Sequence, residues 1–286
     1  PAAAAGTWGL GMEARRLAAV PMYDAASQAF RWPYTGESVT EYADNPVLYV
    51  DTAFGTWPGG APAPRRNPIE RNNCRSCHLE LSLHGNLRHN PSYCVLCHAP
   101  DATDWSRRPK NPDGNVNLGT VWSDTKFGTY DGIEERSIHF KVMVHRIHTG
   151  EGQGTARIEV GAPHVVSGIF LDDIRFPNRL ADCTLCHEGT TWLIEGQPAD
   201  AAPTTANETA TITHSAAAAH GAAEARWPPI AATCNSCHGT AFAYAHAARY
   251  TADGVEQCAQ CHTKGALGVP AAHGLTAPAA GTATSP

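Results

Sequence analysis

Cys74-Arg75-Ser76-Cys77-His78 and Cys94-Val95-Leu96-Cys97-His98 open a set of five Cys-x-x-Cys-His motifs. Cys183-Thr184-Leu185-Cys186-His187, Cys234-Asn235-Ser236-Cys237-His238 and Cys258-Ala259-Gln260-Cys261-His262 complete it, and together they use all 10 cysteines of the 286-residue chain. The spacing is that of c-type haem attachment: two thiols add across two vinyl groups, and the adjoining histidine is held under the iron as proximal ligand. Zinc sites usually pool four ligands from two such half-motifs, and disulfide frameworks do not place a histidine behind every second cysteine. The sequence reads as a pentahaem cytochrome, an electron carrier with five covalently attached haem c groups. The attachment residues are Cys74, Cys77, Cys94, Cys97, Cys183, Cys186, Cys234, Cys237, Cys258 and Cys261, and the proximal ligands are His78, His98, His187, His238 and His262.

A chain of this length cannot bury five haems in five separate polypeptide cores. The porphyrins must supply much of the core and lie close together. The expected fold is a loop-rich multihaem cytochrome c, with a few short helices packed around five haems and a small β-containing N-terminal part. Composition agrees, with 26 glycines and 21 prolines. Residues 1–66 hold neither cysteine nor histidine; Val47-Leu48-Tyr49-Val50 and the nearby Gly/Pro punctuation read there as short strands and turns. Residues 67–274 form the expected pentahaem domain and residues 275–286 a flexible tail. The motifs fall into a close pair, a lone central member and a second close pair, and haems of a close pair are expected to be neighbours in space. The Ala/Thr/Pro-rich stretch 198–224 reads as a surface loop or insertion.

Fifteen histidines are present. Five are proximal, so ten remain for five distal positions and every iron has a histidine available. Met12 and Met22 lie outside the haem region and Met143 adjoins better donors, so His/His ligation and a low potential are expected. His145 and His148 lie on the helix-like run Ile138–His148 at i, i+3, on one helical face. Ligands of one iron approach from opposite sides, so these two are expected to cap different haems. His84, six residues beyond His78 and followed by Gly85 as a helix stop, is too near its own motif to wrap around that haem and is expected to serve a neighbour. His246 and His273 complete the distal set, with His214 and His220 as runners-up for the fourth haem. His89, His139 and His164 read as surface or propionate-bonding residues.

The net charge is -6 and the arginines occur singly or in pairs, which excludes a nucleic-acid-binding surface. No stretch of about 18 apolar residues exists, so no transmembrane segment is expected. The Ala-rich start lacks a basic, apolar leader and reads as processed. Haem attachment to this motif follows export, which places the protein outside the cytoplasm, extracellular or at the outer cell surface, with the periplasm as the alternative.

Several linked motifs carry a family resemblance. Cys74–His78 followed by Leu81-Ser82-Leu83-His84-Gly85-Asn86-Leu87-Arg88 and Tyr93–Pro100 resembles the outer-surface decahaem c-type cytochromes of metal-reducing bacteria, the OmcA/MtrC family. Phe140–His148, and Phe176-Pro177 before Cys183–His187, match the same pattern. The resemblance covers about residues 65–190 by motif and 230–273 by haem spacing. It implies one pentahaem domain preceded by the end of a β-domain, with the haems in a branched, closely packed wire. By motif it carries the distal role to His84, His145 and His148, and more loosely to His246 and His273. His139 stands where an acidic residue is expected, and 211–227 looks like an insertion. The cysteine pair of the family's β-domain has no counterpart, so redox-gated flavin binding is not implied.

The leading function is extracellular electron transfer to redox partner proteins, metal oxides, metal chelates or flavins. A second class is a subunit of a polymeric cytochrome filament. A third, a multihaem reductase enzyme, needs an iron with an open coordination site, and five intact motifs with surplus histidines count against it.

Overall fold

The computed structural model describes residues 7–19, 22–31, 38–51, 65–108, 110–115, 117, 135–150, 165–166, 169–170, 174–197, 204–205, 226–263 and 265–275. Contacts divide the chain into two compact units, residues 1–96 and 97–286. His164, His214, His220 and nearly all of the expected tail lie outside the described residues.

In the first unit six strands form a nested antiparallel ribbon. β1 (Thr7–Gly11) pairs with β6 (Val47–Asp51), β2 (Arg15–Ala19) with β5 (Ser38–Tyr42), and β3 (Met22–Asp24) with β4 (Ala29–Arg31). The innermost turn is built on Asp24, whose Oδ1 accepts from the Ala26 and Ser27 amides at 2.9 and 3.4 Å, a side-chain mimic of a backbone turn. Between the Met12–Pro46 and Ala14–Ala43 backbone bonds, Glu13 on one arm faces both Asp44 and Asn45 on the other. This is a β-bulge, and it turns Asn45 inward.

Asn45 is fully buried. Its amide donates to the carbonyls of Met12 (3.4 Å) and Leu87 (2.9 Å), its Oδ1 accepts from the His89 amide (2.6 Å), and its own carbonyl accepts from Asn90 (3.2 Å). Glu13 accepts from Arg88 and from the Tyr93 hydroxyl, and the bond from Arg88, then that from Tyr93, lowers its carboxyl pKa. The ribbon is thereby tied to the segment leading from the first haem motif to the second. Its inner face is cut back to glycine. A Cβ on Gly11 would come within 2.5 Å of the Tyr93 ring, and one on Gly9 within 2.9 Å of Leu96. Tyr93 and Leu96 lie on α2 (Pro91–Cys97), which follows α1 (Arg71–Arg75). On the opposite face Trp8, Leu10, Met12 and Leu48 are exposed.

The second unit is a set of short helices joined by loops. α3 (Phe140–Thr149) is followed by α4 (Pro229–Asn235), α5 (Ala241–Arg249), α6 (Ala259–His262) and α7 (Val269–Ala272). Gly150, at φ +43°, ends α3 where a Cβ would collide with the Ile174 carbonyl. Thr240 caps α5, its side chain accepting from the Ala243 amide. Glu256 reaches the N-terminus of α4 and accepts from the Ile230 and Ala231 amides at 3.0 and 2.5 Å, satisfying donors that the helix itself leaves open. Thr204–Thr205 pairs with Arg226–Trp227; the rest of the stretch 198–224 lies outside the described residues.

The buried side chains are mainly polar. Among the described residues the buried apolar ones are Val142, Trp192, Ala231 and Ala232, whereas Asp104, Arg108, Glu135, Arg136, Ser137, His139 and Arg146 are all buried. Asp104 holds Arg108 with two bonds of 2.8 and 3.0 Å and accepts from the Arg136 amide at 2.7 Å. Asp104 N–H to Arg136 C=O, Ile138 N–H to Ala102 C=O, and Phe140 N–H to His98 C=O then zip residues 98–104 to 136–140. The start of α3 is fixed against the second haem motif by that ladder.

Asn45→Ala is expected to lower stability by about 3 kcal/mol, because it strands buried amide and carbonyl groups. Asp44→Ala, next to it, removes only the exposed ion pair with Arg71 and should cost less than about 1 kcal/mol. Denaturant unfolding of the two variants measures the contrast.

Candidate haem-binding site

Each motif is one turn of helix. In four of them the histidine amide donates to the carbonyl of the first cysteine: His78 to Cys74 at 2.9 Å, His187 to Cys183 at 3.0 Å, His238 to Cys234 at 2.8 Å and His262 to Cys258 at 2.9 Å. The second cysteine amide donates to the same carbonyl at 3.1–3.3 Å. The remaining motif has Cys94 and Cys97 on α2. Residues at i, i+3 and i+4 share a helical face, so both sulfurs and the imidazole of a motif project to one side. All ten cysteines are free thiols, so no disulfide competes for them. Among the described residues no three His, Cys, Asp or Glu side chains gather as a metal cluster.

The histidine rings answer whether the chain fits a haem. Imidazole nitrogens bind a metal at about 2 Å, and each ring centroid lies about 1 Å farther back, so two rings on opposite sides of one iron stand about 6 Å apart. Three pairs meet that spacing, each joining a proximal residue to one of the candidate distal residues. His145 and His187 have centroids 6.0 Å apart and planes 19° apart. His238 and His273 lie at 6.0 Å and 51°, and His246 and His262 at 6.0 Å and 80°.

Backbone carbonyls orient several of these rings. Nδ1 of His98 faces Ile138 O at 2.8 Å, and that of His262 faces Leu267 O at 2.9 Å. His148 and His273 engage the carbonyls one helical turn back, Val144 O and Val269 O, both at 2.8 Å. A carbonyl can only accept, so Nδ1 carries the proton and Nε2 is left as the ligating atom. Complete burial, then the neighbouring His187, His148 and Lys141, lowers the His145 pKa to about 3, which keeps that ring in the neutral, ligand-competent form. Burial, then the adjoining His273, lowers that of His238.

His145 and His148 have different surroundings despite their shared turn. His145 stacks toward His187, whereas His148 meets Phe176 edge-on at 5.7 Å. His84 lies in a tight turn with φ +52°, and Gly85 at φ +70° is the next step of that turn rather than a helix stop. His89 and His139 are buried, which corrects their reading as surface residues. Both nitrogens of His89 are engaged by backbone carbonyls, Leu81 O and Asn86 O, so it has no atom to offer an iron.

The sulfurs of the last three motifs also gather. Before haem attachment, burial raises the Cys234 thiol to about 12, with Cys258, Cys237, Glu256 and Cys183 adding to the effect in that order. Burial, then Cys237, raises Cys183 to about 11. These sulfurs are thioethers once haem is bound. Their mutual influence sets Cys183, Cys237 and Cys258 within electrostatic reach of Cys234 or of one another.

The supporting residues Asn45, Asp104, His89 and Glu256 carried no recognisable motif. No helix among the described residues is long and apolar enough to cross a membrane. Comparison with curated proteins and with solved structures found no match. The sequence pattern describing outer membrane cytochrome MtrC/MtrF-like proteins, domains II/IV, matches residues 66–274. With most of its length inside that pattern and its haem motifs built as one-turn helices, the chain belongs to the MtrC/MtrF-like family of multihaem outer membrane cytochromes.

Proposed function

We propose that the chain relays electrons at the outer cell surface through five closely packed bis-histidine c-type haems, passing them from a redox partner protein to a metal oxide, metal chelate or flavin. The observation that carries this is the set of three proximal–distal histidine pairs at 6.0 Å. Bound haem supplies the one-electron Fe(III)/Fe(II) couple. The side chains decide what that couple is used for. A histidine on each side of an iron leaves no position for a substrate, which favours electron transfer over reduction chemistry at the metal. Fixed Nδ1 protons limit ligand motion between oxidation states, so little reorganisation accompanies each transfer.

Of the five irons, the pairs His145–His187, His238–His273 and His246–His262 account for three. His84 and His148 are the remaining distal ligands of the set. Residues 67–274 form the haem-bearing part, and 1–66 is a small non-haem ribbon. The gathered sulfurs of Cys183, Cys234, Cys237 and Cys258 support a continuous path in which the fourth haem joins the third and fifth.

His145→Ala is expected to free one iron in five. Carbon monoxide should then bind a single haem of the reduced protein, while the native protein binds none. Binding by the native protein, or by two haems in the variant, contradicts the assignment.

Ring orientation gives a separate test, because the angle between two axial imidazole planes sets the splitting of the iron d orbitals that point between them. The 80° pair His246–His262 is expected to give a strongly anisotropic low-spin signal with a large maximum g value. The 19° pair His145–His187 should give an ordinary rhombic one. Electron paramagnetic resonance of the oxidised protein should show both classes, and His246→Ala should remove the first alone.

A further inference from the structure

The two rings paired at the fifth motif are held by different means. His262 is fixed by its backbone, Nδ1 facing Leu267 O at 2.9 Å. Among the described residues the His246 ring meets only other rings. Phe242 lies one turn before it, with centroids 6.4 Å and planes 23° apart, and Tyr250 one turn after it, at 4.9 Å and 51°. Both distances fall within the roughly 4.5–7 Å over which aromatic rings attract one another.

This placement follows from α5. Residues four apart lie on one helical face, and Phe242, His246 and Tyr250 are such a row. The rest of Ala241–Arg249 is alanine apart from Tyr244 and Arg249, and Tyr244 is turned to Trp227 at 5.4 Å and to Arg146. Phe242 and Tyr250 are 81% and 44% exposed, so neither ring is there to fill the core. Both ends of the row are anchored. Thr240 caps the turn that begins beside Phe242, accepting from the Ala243 amide at 3.2 Å. Tyr250 ends the helix: its amide donates to the His246 carbonyl at 3.2 Å, and its own carbonyl accepts from Gln257 at 2.9 Å. The hairpin between them, Thr251–Ala252 paired with Val255–Glu256, leads directly to Cys258. The support of the distal ring is thereby tied to the segment that carries the proximal one.

We propose that Phe242 and Tyr250 are positioning residues for the distal ligand His246, setting its rotation about the iron–nitrogen bond and so holding the 80° crossing with His262. An imidazole bound to iron keeps that one torsion free. Turning His246 parallel to His262 would carry its plane out of alignment with the Phe242 ring. The crossing has an electronic consequence. Crossed ligand planes leave the two iron d orbitals that point between them nearly equal in energy, whereas parallel planes split them. Splitting stabilises ferric iron, which has one hole in these orbitals, and does nothing for low-spin ferrous iron, in which both are filled. The crossing therefore raises the potential of this haem above that of the same two ligands set parallel. The inference rests on the reading of His246 and His262 as ligands of one iron.

The test is electron paramagnetic resonance of the oxidised haem-loaded protein, read with carbon monoxide binding to the reduced protein and with a redox titration. In the double variant Phe242→Leu with Tyr250→Leu, the signal of large maximum g value is expected to move into the ordinary rhombic class. All five haems should stay closed to carbon monoxide, and one of the five should titrate at lower potential. Tyr250→Phe keeps the ring and should keep the signal. His246→Ala should remove the signal and open one haem. A signal that survives unmoved in the double variant overturns the positioning role, provided His246→Ala removes it. If the native protein lacks the signal, or His246→Ala leaves it in place, the ligand reading itself fails and the proposal with it. Carbon monoxide binding by the double variant overturns the proposal too, since the rings would then hold the ligand rather than its rotation. Loss of the signal in Tyr250→Phe does the same. Should the double variant not fold, the two single leucine variants decide, and an unmoved signal in both overturns the role.

Discussion

Two imidazoles that share one iron must stand about 6 Å apart on opposite sides of it, and most of the described structure of residues 97–286 serves that spacing. The proximal ring is supplied by a motif that is itself a helical turn, so its position follows from local backbone bonds. The distal ring has to come from elsewhere in the chain. Opposite His187, His262 and His238 stand His145 on α3, His246 on α5 and His273 at the end of α7. These helices are short because a helix that presents one or two histidines needs only enough turns to aim them. Isolated helices of such length are marginal in water, so each is fastened from outside. Thr240 caps α5, Glu256 caps α4, and Gly150 stops α3 against Ile174.

The same constraint explains the buried polar side chains beside the ligand-bearing segments. The side chains around the ligands must fix backbone positions, and hydrogen bonds do that more specifically than apolar contact. Asp104 engages the Arg108 guanidinium and the Arg136 amide together. A buried ion pair is weak evidence for stability, since apolar replacements of similar volume often do as well. What this one adds is register. It locks the strand-like run before α3 to the run after His98, so the backbone that orients the His98 ring, through Ile138 O, is also the backbone from which His145 and His148 depart.

The haem motifs and the helix carrying His145 and His148 were legible in the sequence because their geometry is local. Five copies of one spacing fix a helical turn, and the i, i+3 separation puts the two histidines on one face. The helix expected over Ile138–His148 is found over Phe140–Thr149. Pairing was not legible: nothing in the order of residues says that His273 stands opposite His238 rather than His262, since that depends on how loops of unequal length return. Gly85 was misread because a glycine at a helix end and a glycine in a left-handed turn look the same in one dimension; only the Leu83–Arg88 bridge separates them. His89 was set aside as a spectator for a related reason, as its two acceptors are main-chain carbonyls, which leave no mark on the sequence.

The ribbon of the first unit shows how an element without a haem motif positions the turn that bears His84. A two-stranded ribbon is marginal by itself, and this one leaves Trp8, Leu10, Met12 and Leu48 on an exposed face. Its other face is stripped to Gly9 and Gly11, which lets Tyr93 and Leu96 of α2 approach the strand backbone. A one-residue bulge then brings Asn45 to the Leu87 carbonyl and the His89 amide. The residues that look least like a cofactor site, two glycines and a buried asparagine, thus set the position of the turn bearing His84. A methyl group on Gly11 would press on the Tyr93 ring, whose hydroxyl donates to Glu13, the carboxylate that also holds Arg88. Strain introduced at the ribbon would therefore pass through Tyr93, Glu13 and Arg88 to the closing pair of the His84 turn, a route made entirely of contacts within residues 1–96.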